Sequence, residues 1–232
     1  MTRHVVNLQD RPMYGFGQVD AILGLKSGTA KRWIDGYVRA GREYPPIIRE
    51  KSTGDEIVTW GEFVETRLVS EYRDRGALVA RMRPAIELLR AYVGPYPLAQ
   101  AQTWLGVDSR ELVQRVQESV GLDPRLALVV VRNGQQMIDW SPQVEEFTQS
   151  VEWSKSGEPQ MMRLQQDLPS VAVNPLRGYG EPAVRGVPTE IIRELYAAGD
   201  SIEMIAELYE LDPAEVNDAV RYELQRSSRN AA

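Results

Sequence analysis

Three side chains near the start of a short predicted helix have the chemistry to bind a nucleic acid. Thr29, Lys31 and Arg32 follow one another closely, and such hydroxyl and cationic groups contact phosphates and base edges. Residues 17–23 and 28–37 predict two short helices, and Gly24 predicts a tight turn between them. A helix-turn-helix places its second helix in the major groove of DNA. We therefore expect these three side chains to contact DNA.

The residues that follow predict the wing of a winged helix-turn-helix. Two short extended runs flank residues 53–55, a pattern typical of a β-hairpin. Arg42, Arg49 and Lys51 would then lie along a phosphate backbone, the main source of affinity in DNA binding. A winged helix used only for protein contact is the alternative that this pattern leaves open.

These residues resemble a known family of regulators. The run LGLKSGTAKRW at residues 23–33 is similar to the recognition segment of MerR-type regulators, and TWGEF at residues 59–63 resembles the start of that family's next helix. The resemblance covers about residues 14–92 and implies a DNA-binding domain. The family's effector-binding cysteines are absent here, so the resemblance does not imply metal sensing.

The composition limits the classes of protein. The chain has 232 residues, of which 43% are hydrophobic, so it can form one large domain or two to three small ones. Without cysteine it has neither disulfides nor thiolate metal sites. The longest apolar run, residues 126–131, is too short to span a bilayer, and the N-terminus lacks a signal-peptide pattern. We expect a soluble cytoplasmic protein that does not contact membranes.

Charge is distributed unevenly along the chain. The net charge is −6, yet residues 1–54 hold 9 Lys or Arg and 5 Asp or Glu. Residues 101–232 hold 12 basic and 21 acidic residues. A basic head and an acidic tail predict different partners for the two ends.

The central part predicts helices and one hairpin. Thr59 and Glu62 have the spacing of a capping box before a helix with apolar residues at helical intervals. A second helix over residues 79–93 could be core or a dimer seam. Asn133-Gly134 predicts a hairpin, and Ser141 followed by proline predicts a helix start. We interpret residues 94–159 as an α+β spacer or dimerisation segment.

The last third predicts short strands, a glycine-rich turn and three helices. The helices begin near Pro188, Ser201 and Asp212, where proline and capping side chains occur. A second DNA-binding unit would fit this pattern, but the last two helices are rich in Asp and Glu. Since phosphate contact needs cations, an acidic surface is better suited to a basic protein partner.

This part of the chain resembles the C-terminal domain of VapB-type antitoxins. The resemblance covers residues 171–225 and rests on GEPAVRG at 180–186 and DPAEV at 212–216, although residues 186–188 are shorter than the family's pattern. It implies a toxin of PIN-like fold, a metal-dependent ribonuclease encoded nearby. On this basis we assign toxin contacts to Tyr179, Val184, Arg185, Glu203 and Glu207.

The predicted protein is mainly α with small β-hairpins. Its expected parts are a winged helix-turn-helix at 1–93, an α+β segment at 94–159, and a C-terminal strand plus three-helix domain at 160–232. We expect a homodimeric antitoxin that binds a toxin and represses its own operator DNA. The alternative is a stand-alone MerR-like regulator whose C-terminal domain binds another protein or a ligand. The single histidine, His4, and the scattered carboxylates predict neither an enzyme nor a cofactor or metal site.

Overall fold

Helix α3, Trp60–Ser70, lies at the centre of the fold, and its first ten residues are all buried. Thr59 caps the helix, since its hydroxyl accepts a hydrogen bond from the Glu62 N–H at 3.3 Å. The Glu62 carboxylate accepts one from the Thr59 N–H at 2.9 Å. The predicted capping box is therefore confirmed. Helix α3 touches elements as distant in the chain as residues 8–10 and 159–163.

The computed structural model describes residues 7–73, 76, 78–132 and 137–230. The chain is mixed α+β, about 53% helical, with small antiparallel sheets. His4 lies outside the described residues. Within the described part, no helix combines the length and the apolar character that crossing a membrane would require.

Two short helices form where the sequence predicts them. Helix α1, Phe16–Leu23, packs against helix α2, Thr29–Ile34. Gly24 ends α1 with a positive φ of 61°, a conformation that glycine adopts without steric cost. The predicted pair of helices and the turn between them are present, but α2 ends at Ile34, and Tyr37, the last residue of the predicted second helix, begins the next strand.

The hairpin after α2 lies earlier than predicted. Strand β2, Tyr37–Arg39, pairs with strand β3, Arg42–Tyr44, across Ala40 and Gly41, which both have positive φ. The prediction of a hairpin around residues 53–55 is wrong, because the strand that follows these residues pairs with a strand near the start of the chain. Strand β4, Ile57–Thr59, is antiparallel to strand β1, Pro12–Gly15, near the start of the chain.

Hydrogen bonds from distant residues explain this difference. The backbone N–H groups of Ile47 and Ile48 both donate to the Trp33 carbonyl oxygen, at 2.7 and 3.0 Å. The N–H groups of Thr53 and Gly54 donate to the Asp35 carboxylate, the shortest bonds being 2.7 and 3.1 Å. These donors are therefore committed to residues 33 and 35 and cannot form a strand ladder.

Three helices follow α3 and pack on one another. They are α4, Arg83–Val93, α5, Ala101–Leu105, and α6, Ser109–Ser119. In α4, Ala85, Ile86 and Leu89 are buried within this one chain. Of the two roles that the sequence left open for this apolar face, core or dimer seam, most of the face therefore has the first.

The predicted second hairpin is also present. Strands β5, Val129–Arg132, and β6, Met137–Trp140, pair in antiparallel register. The Asn133-Gly134 turn itself lies outside the described residues. Ser141 caps helix α7, Pro142–Ser150, as predicted, and its hydroxyl accepts from the Val144 N–H at 3.4 Å.

A five-stranded antiparallel sheet and three helices complete the fold. The strand order is β11–β10–β9–β8–β7. The strands are β7, Val151–Trp153, β8, Pro159–Arg163, β9, Ala172–Val173, β10, Ala183–Val184, and β11, Val187–Pro188. The helices are α8, Thr189–Ala198, α9, Ile202–Tyr209, and α10, Pro213–Asn230. Helix α7 ends at Ser150, and the three residues that follow it form the edge strand β7.

Hydrogen bonds join the N-terminal third of the chain to its C-terminal third. The Trp60 indole N–H donates to the Pro159 carbonyl at 2.7 Å, and the Tyr222 hydroxyl donates to the Ile22 carbonyl at 3.4 Å. Buried apolar residues from Tyr14 to Tyr222 form one cluster. The three parts of the chain therefore share a core, and the domain boundaries at 93 and 159 stay predictions.

Candidate nucleic-acid and partner interfaces

A cleft of about 690 Å³ lies between helix α2, the β2–β3 hairpin and residues 78–83. Four cationic side chains line it, and these are Lys26, Arg32, Arg73 and Arg83. Among the residues that the structure describes, the lining includes no Asp or Glu. A concave surface lined with positive charges attracts anions. We refer to this feature as the basic cleft.

Helix α2 brings only part of the predicted DNA-binding set to the surface. Lys31 and Arg32 are exposed, whereas Thr29 is buried. The Thr29 hydroxyl accepts a hydrogen bond from the Arg32 guanidinium at 3.0 Å. Thr29 therefore orients Arg32 and is not itself placed to reach DNA.

Asp20 fixes the beginning of α2. Its carboxylate accepts hydrogen bonds from the N–H groups of Gly28 and Ala30, both at 2.7 Å. Burial raises the pKa of Asp20, although these hydrogen bonds act in the opposite direction. The carboxylate occupies donors at the helix start that otherwise lack partners. It thereby sets the position of the helix that carries Lys31 and Arg32.

The β2–β3 hairpin adds cations and aromatic rings beside α2. Tyr37 and Tyr44 stack with ring centroids 4.5 Å apart, and the Arg42 guanidinium lies 5.4 Å from the Tyr44 ring centre. Arg39 and Arg42 are exposed on either side of the turn. Arg39 is a cation that the sequence reasoning missed; the Ala-Gly dipeptide between two short extended runs was the available signal.

Arg49 is not placed to contact DNA. Its side chain is only 8% exposed and donates to Glu62 at 2.7 Å and to Asp35 at 2.9 Å. It also donates to the carbonyl oxygens of Asp55 and Ile57, at 2.8 and 2.7 Å. A guanidinium has five N–H donors, and these contacts occupy most of them. Arg49 holds the 49–57 loop against α3, so we leave it out of the DNA-binding set.

Lys51 is exposed but lies apart from the basic cleft. It lines a different cleft together with acidic residues that include Glu50 and Glu65. Of the predicted cations, Arg32 lines the basic cleft, and Lys31 and Arg42 lie on the elements that form it. The structure therefore does not bring Lys51 together with them.

The predicted toxin-binding residues have different positions in the C-terminal part. Tyr179 is 91% exposed with φ +54°, and Arg185 is exposed with φ +49°. The Arg185 guanidinium donates to the Glu210 carbonyl at 3.2 Å and lies 3.9 Å from the Glu215 carboxylate. Val184 is fully buried, because β10 alternates its side chains between the core and solvent. Val184 is therefore a core residue and not a contact.

Helix α9 combines acidic and apolar side chains at its surface. Glu203 and Glu207 are exposed, as are Met204 (60%) and Leu208 (63%). Each pair is spaced by four residues, so the two pairs form adjacent rows on one helix. Ile205, on the same helix, is buried. Residues 189–209 hold five acidic residues and one arginine.

Comparison with known proteins places this architecture in a family. The chain is 37% identical to the uncharacterized protein Rv2308 of Mycobacterium tuberculosis over 227 residues, which cover 94% of this chain and 92% of that protein. The chain belongs to the Rv2308 family. In this member of the Rv2308 family, residues 171–222 also match a family model described as a protein of unknown function, DUF433.

Two further similarities extend over nearly the whole length of this chain. A Mycobacterium tuberculosis protein named "Putative antitoxin VapB45" is 28% identical over 228 residues, which cover 91% of this chain and 93% of that protein. The crystal structure of Rv2018 from the same organism has a TM-score of 0.74 at 26% identity. That match covers 92% of this chain and all of the solved one. The arrangement of elements described above is therefore common to a solved mycobacterial protein.

Proposed function

We propose that this protein is an antitoxin that binds a toxin through its C-terminal helices and binds its own operator DNA through its N-terminal helices. The observation that carries the proposal is the separation of two unlike surfaces on one core. The described lining of the basic cleft includes four cations and no Asp or Glu, and α2 carries Lys31 and Arg32, whereas α9 presents Glu203 and Glu207 beside exposed apolar side chains. The similarity to the VapB45 protein supports the antitoxin role.

The DNA-binding part is proposed to be a winged helix-turn-helix in the manner of MerR-type regulators. Helix α2 would enter the major groove, and Lys31 and Arg32 would contact phosphates or bases. The β2–β3 hairpin would be the wing, with Arg39 and Arg42 on the backbone. Because operators read by such units commonly have two-fold symmetry, we propose that the protein acts as a homodimer.

The toxin-binding part is proposed to act by contact and not by catalysis. A ribonuclease of PIN-like fold grips RNA with a basic surface, which the acidic side of α9 would cover. Met204 and Leu208 would supply the apolar contacts that dominate binding energy, and Glu203 and Glu207 would supply charge complementarity. Tyr179 and Arg185 would extend the interface, with Arg185 paired to carboxylates of the toxin's metal site.

The test is co-expression of the full chain with the product of a short neighbouring gene, followed by affinity capture and a growth assay. The Met204→Ser/Leu208→Ser variant should lose toxin capture and protection but keep operator binding. Leu224→Ser is a matched control, since Leu224 is equally exposed (59%) but lies on α10. Arg185→Ala should weaken inhibition without unfolding the protein.

Two outcomes would contradict the proposal. The neighbouring product could fail to bind the full chain, or the α9 variant and the α10 control could lose capture equally. Operator binding without any toxin capture would instead favour a stand-alone transcription regulator.

A further inference from the structure

Part of the lining of the basic cleft is apolar, which phosphate binding does not require. Besides the cations, the lining includes Trp33, Ile47, Leu78 and Val79. Contacts with DNA phosphates would use the cations and not these apolar side chains. A volume of about 690 Å³ falls within the range typical of pockets for small organic molecules, roughly 300–1,000 Å³. The cleft thus has the size and lining of a ligand pocket.

Aromatic rings form part of the wall of this cleft. Trp33 belongs to helix α2, on one side of the cleft. Tyr37 and Tyr44, which stack on each other, belong to the β2–β3 hairpin on another side. The two tyrosine planes are inclined by only 2°. Flat aromatic surfaces attract other flat rings by stacking or edge contacts.

Three arginines of the cleft are held in place by neighbours. Arg32 donates to the Thr29 hydroxyl at 3.0 Å, Arg73 to the Gly24 carbonyl at 3.0 Å, and Arg83 to the Glu87 carboxylate at 2.7 Å. Each of these three bonds uses one of a guanidinium's five donors. Donors held before a ligand arrives bind a carboxylate, sulfonate or phosphate at a lower entropic cost.

We propose that the basic cleft binds a small anionic molecule with a flat aromatic body. The anionic group pairs with the guanidinium groups of Arg32, Arg73 and Arg83, and the ring lies against Trp33 and the tyrosine stack. A neutral ligand would add no charge pairing to these cations, and an aliphatic anion would leave the aromatic wall uncovered. This site is separate from the proposed toxin-binding surface on α9.

Ligand binding should oppose DNA binding. Arg32 lies both in the cleft and on the exposed surface of α2, and Thr29 links it to the helix. A bound anion would occupy the Arg32 guanidinium that a phosphate needs, so the two ligands would compete. This consequence rests on the proposed DNA-binding function, whereas ligand binding itself does not.

The experiment is isothermal titration of the full chain, without DNA, with 2-naphthoate and with the neutral 2-naphthalenemethanol. We expect saturable one-to-one binding of naphthoate and at least about tenfold weaker binding of the neutral probe. Arg83→Gln should weaken naphthoate binding at least about tenfold. Tyr37→Ser should weaken it about threefold. Arg81→Gln is the control, because Arg81 is exposed in the neighbouring turn but does not line the cleft. Circular dichroism checks that each variant is folded.

Several results would overturn the inference. They are an absence of saturable naphthoate binding, equal binding of the neutral probe, or an equal loss in Arg81→Gln. If naphthoate does not bind while Arg83→Gln weakens operator binding, the cleft is only a track for DNA phosphates. If naphthoate binds but does not displace operator DNA, the ligand site stands and the competition with DNA is wrong.

Discussion

The hydroxyl group of Tyr14 donates a hydrogen bond of 2.7 Å to the carbonyl oxygen of Gly180, which lies 166 positions later in the chain. Burial raises the pKa of Tyr14 above its usual value, so the phenol remains a donor at every physiological pH. Gly180 has φ +77°, and a Cβ atom there would collide with Met13 and Tyr14. The contact joins β1 to the glycine-rich turn that carries Tyr179.

Removing this hydroxyl should destabilise the whole protein. Tyr14→Phe leaves the buried Gly180 carbonyl without its donor, which costs about 1–3 kcal/mol of unfolding free energy. Urea unfolding followed by tryptophan fluorescence measures the change. Tyr92→Phe serves as the control, since Tyr92 is 63% exposed. Equal stability of the two variants would show that this hydrogen bond does not stabilise the fold.

Arg49 should matter for stability and not for DNA affinity. Arg49→Met leaves Asp35 and Glu62 inside the protein without a counter-charge, at a cost of about 3–5 kcal/mol. Arg42→Met removes an exposed cation and should leave the unfolding free energy within about 0.5 kcal/mol of the parent. Denaturant titrations of the two variants check this. A stable Arg49→Met protein with weak DNA binding would return Arg49 to the DNA-binding set.

The salt dependence of operator binding tests α2. Replacing Lys31 and Arg32 with alanine should weaken binding and reduce the slope of log affinity against log salt by about two, roughly one for each lost phosphate contact. Fluorescence anisotropy at several salt concentrations measures the slope. Thr29→Val should show a smaller effect, because Arg32 loses its orienting acceptor but keeps its charge. An unchanged slope in the double variant would exclude α2 as the DNA-contacting helix.

Glu65 should make stability depend on pH. Burial raises the pKa of Glu65 from 4.5 to about 8, opposed by the Leu98 N–H, which donates to it at 2.9 Å, and by the charge of Arg90. A raised carboxyl pKa contributes stability that is complete below pH 4.5 and is lost as the pH rises through 8. In Glu65→Gln the amide oxygen still accepts from Leu98 but cannot ionise.

The unfolding free energies of the parent and of Glu65→Gln should depend differently on pH. Between pH 5 and 8, the parent should lose up to about 1.4 kcal/mol per pH unit relative to Glu65→Gln. Urea titrations at each pH provide the unfolding free energies. Parallel pH profiles would show that Glu65 titrates alike in the folded and unfolded chains.

Features that depend on neighbouring residues could be predicted from the sequence. Thr59 and Glu62 form a capping box, Ser141 caps α7, and Gly24 ends α1, because a cap joins groups only three or four positions apart. The pairing of β5 with β6 also follows from the Asn133-Gly134 pattern in the sequence between them. The basic start and the acidic end of the chain are properties of composition alone.

Features that join distant residues were decided only by the tertiary structure. Arg49 reads as a free cation until Asp35 and Glu62 are placed beside it. Strand β4 pairs with β1, and no hairpin forms around residues 53–55, where the N–H groups of Thr53 and Gly54 donate to Asp35. Val184 faces the core because of its position in a five-stranded sheet, and the basic cleft exists only where α2, the hairpin and residues 78–83 meet. Pairing partners and burial depend on long-range contacts, which local spacing does not encode.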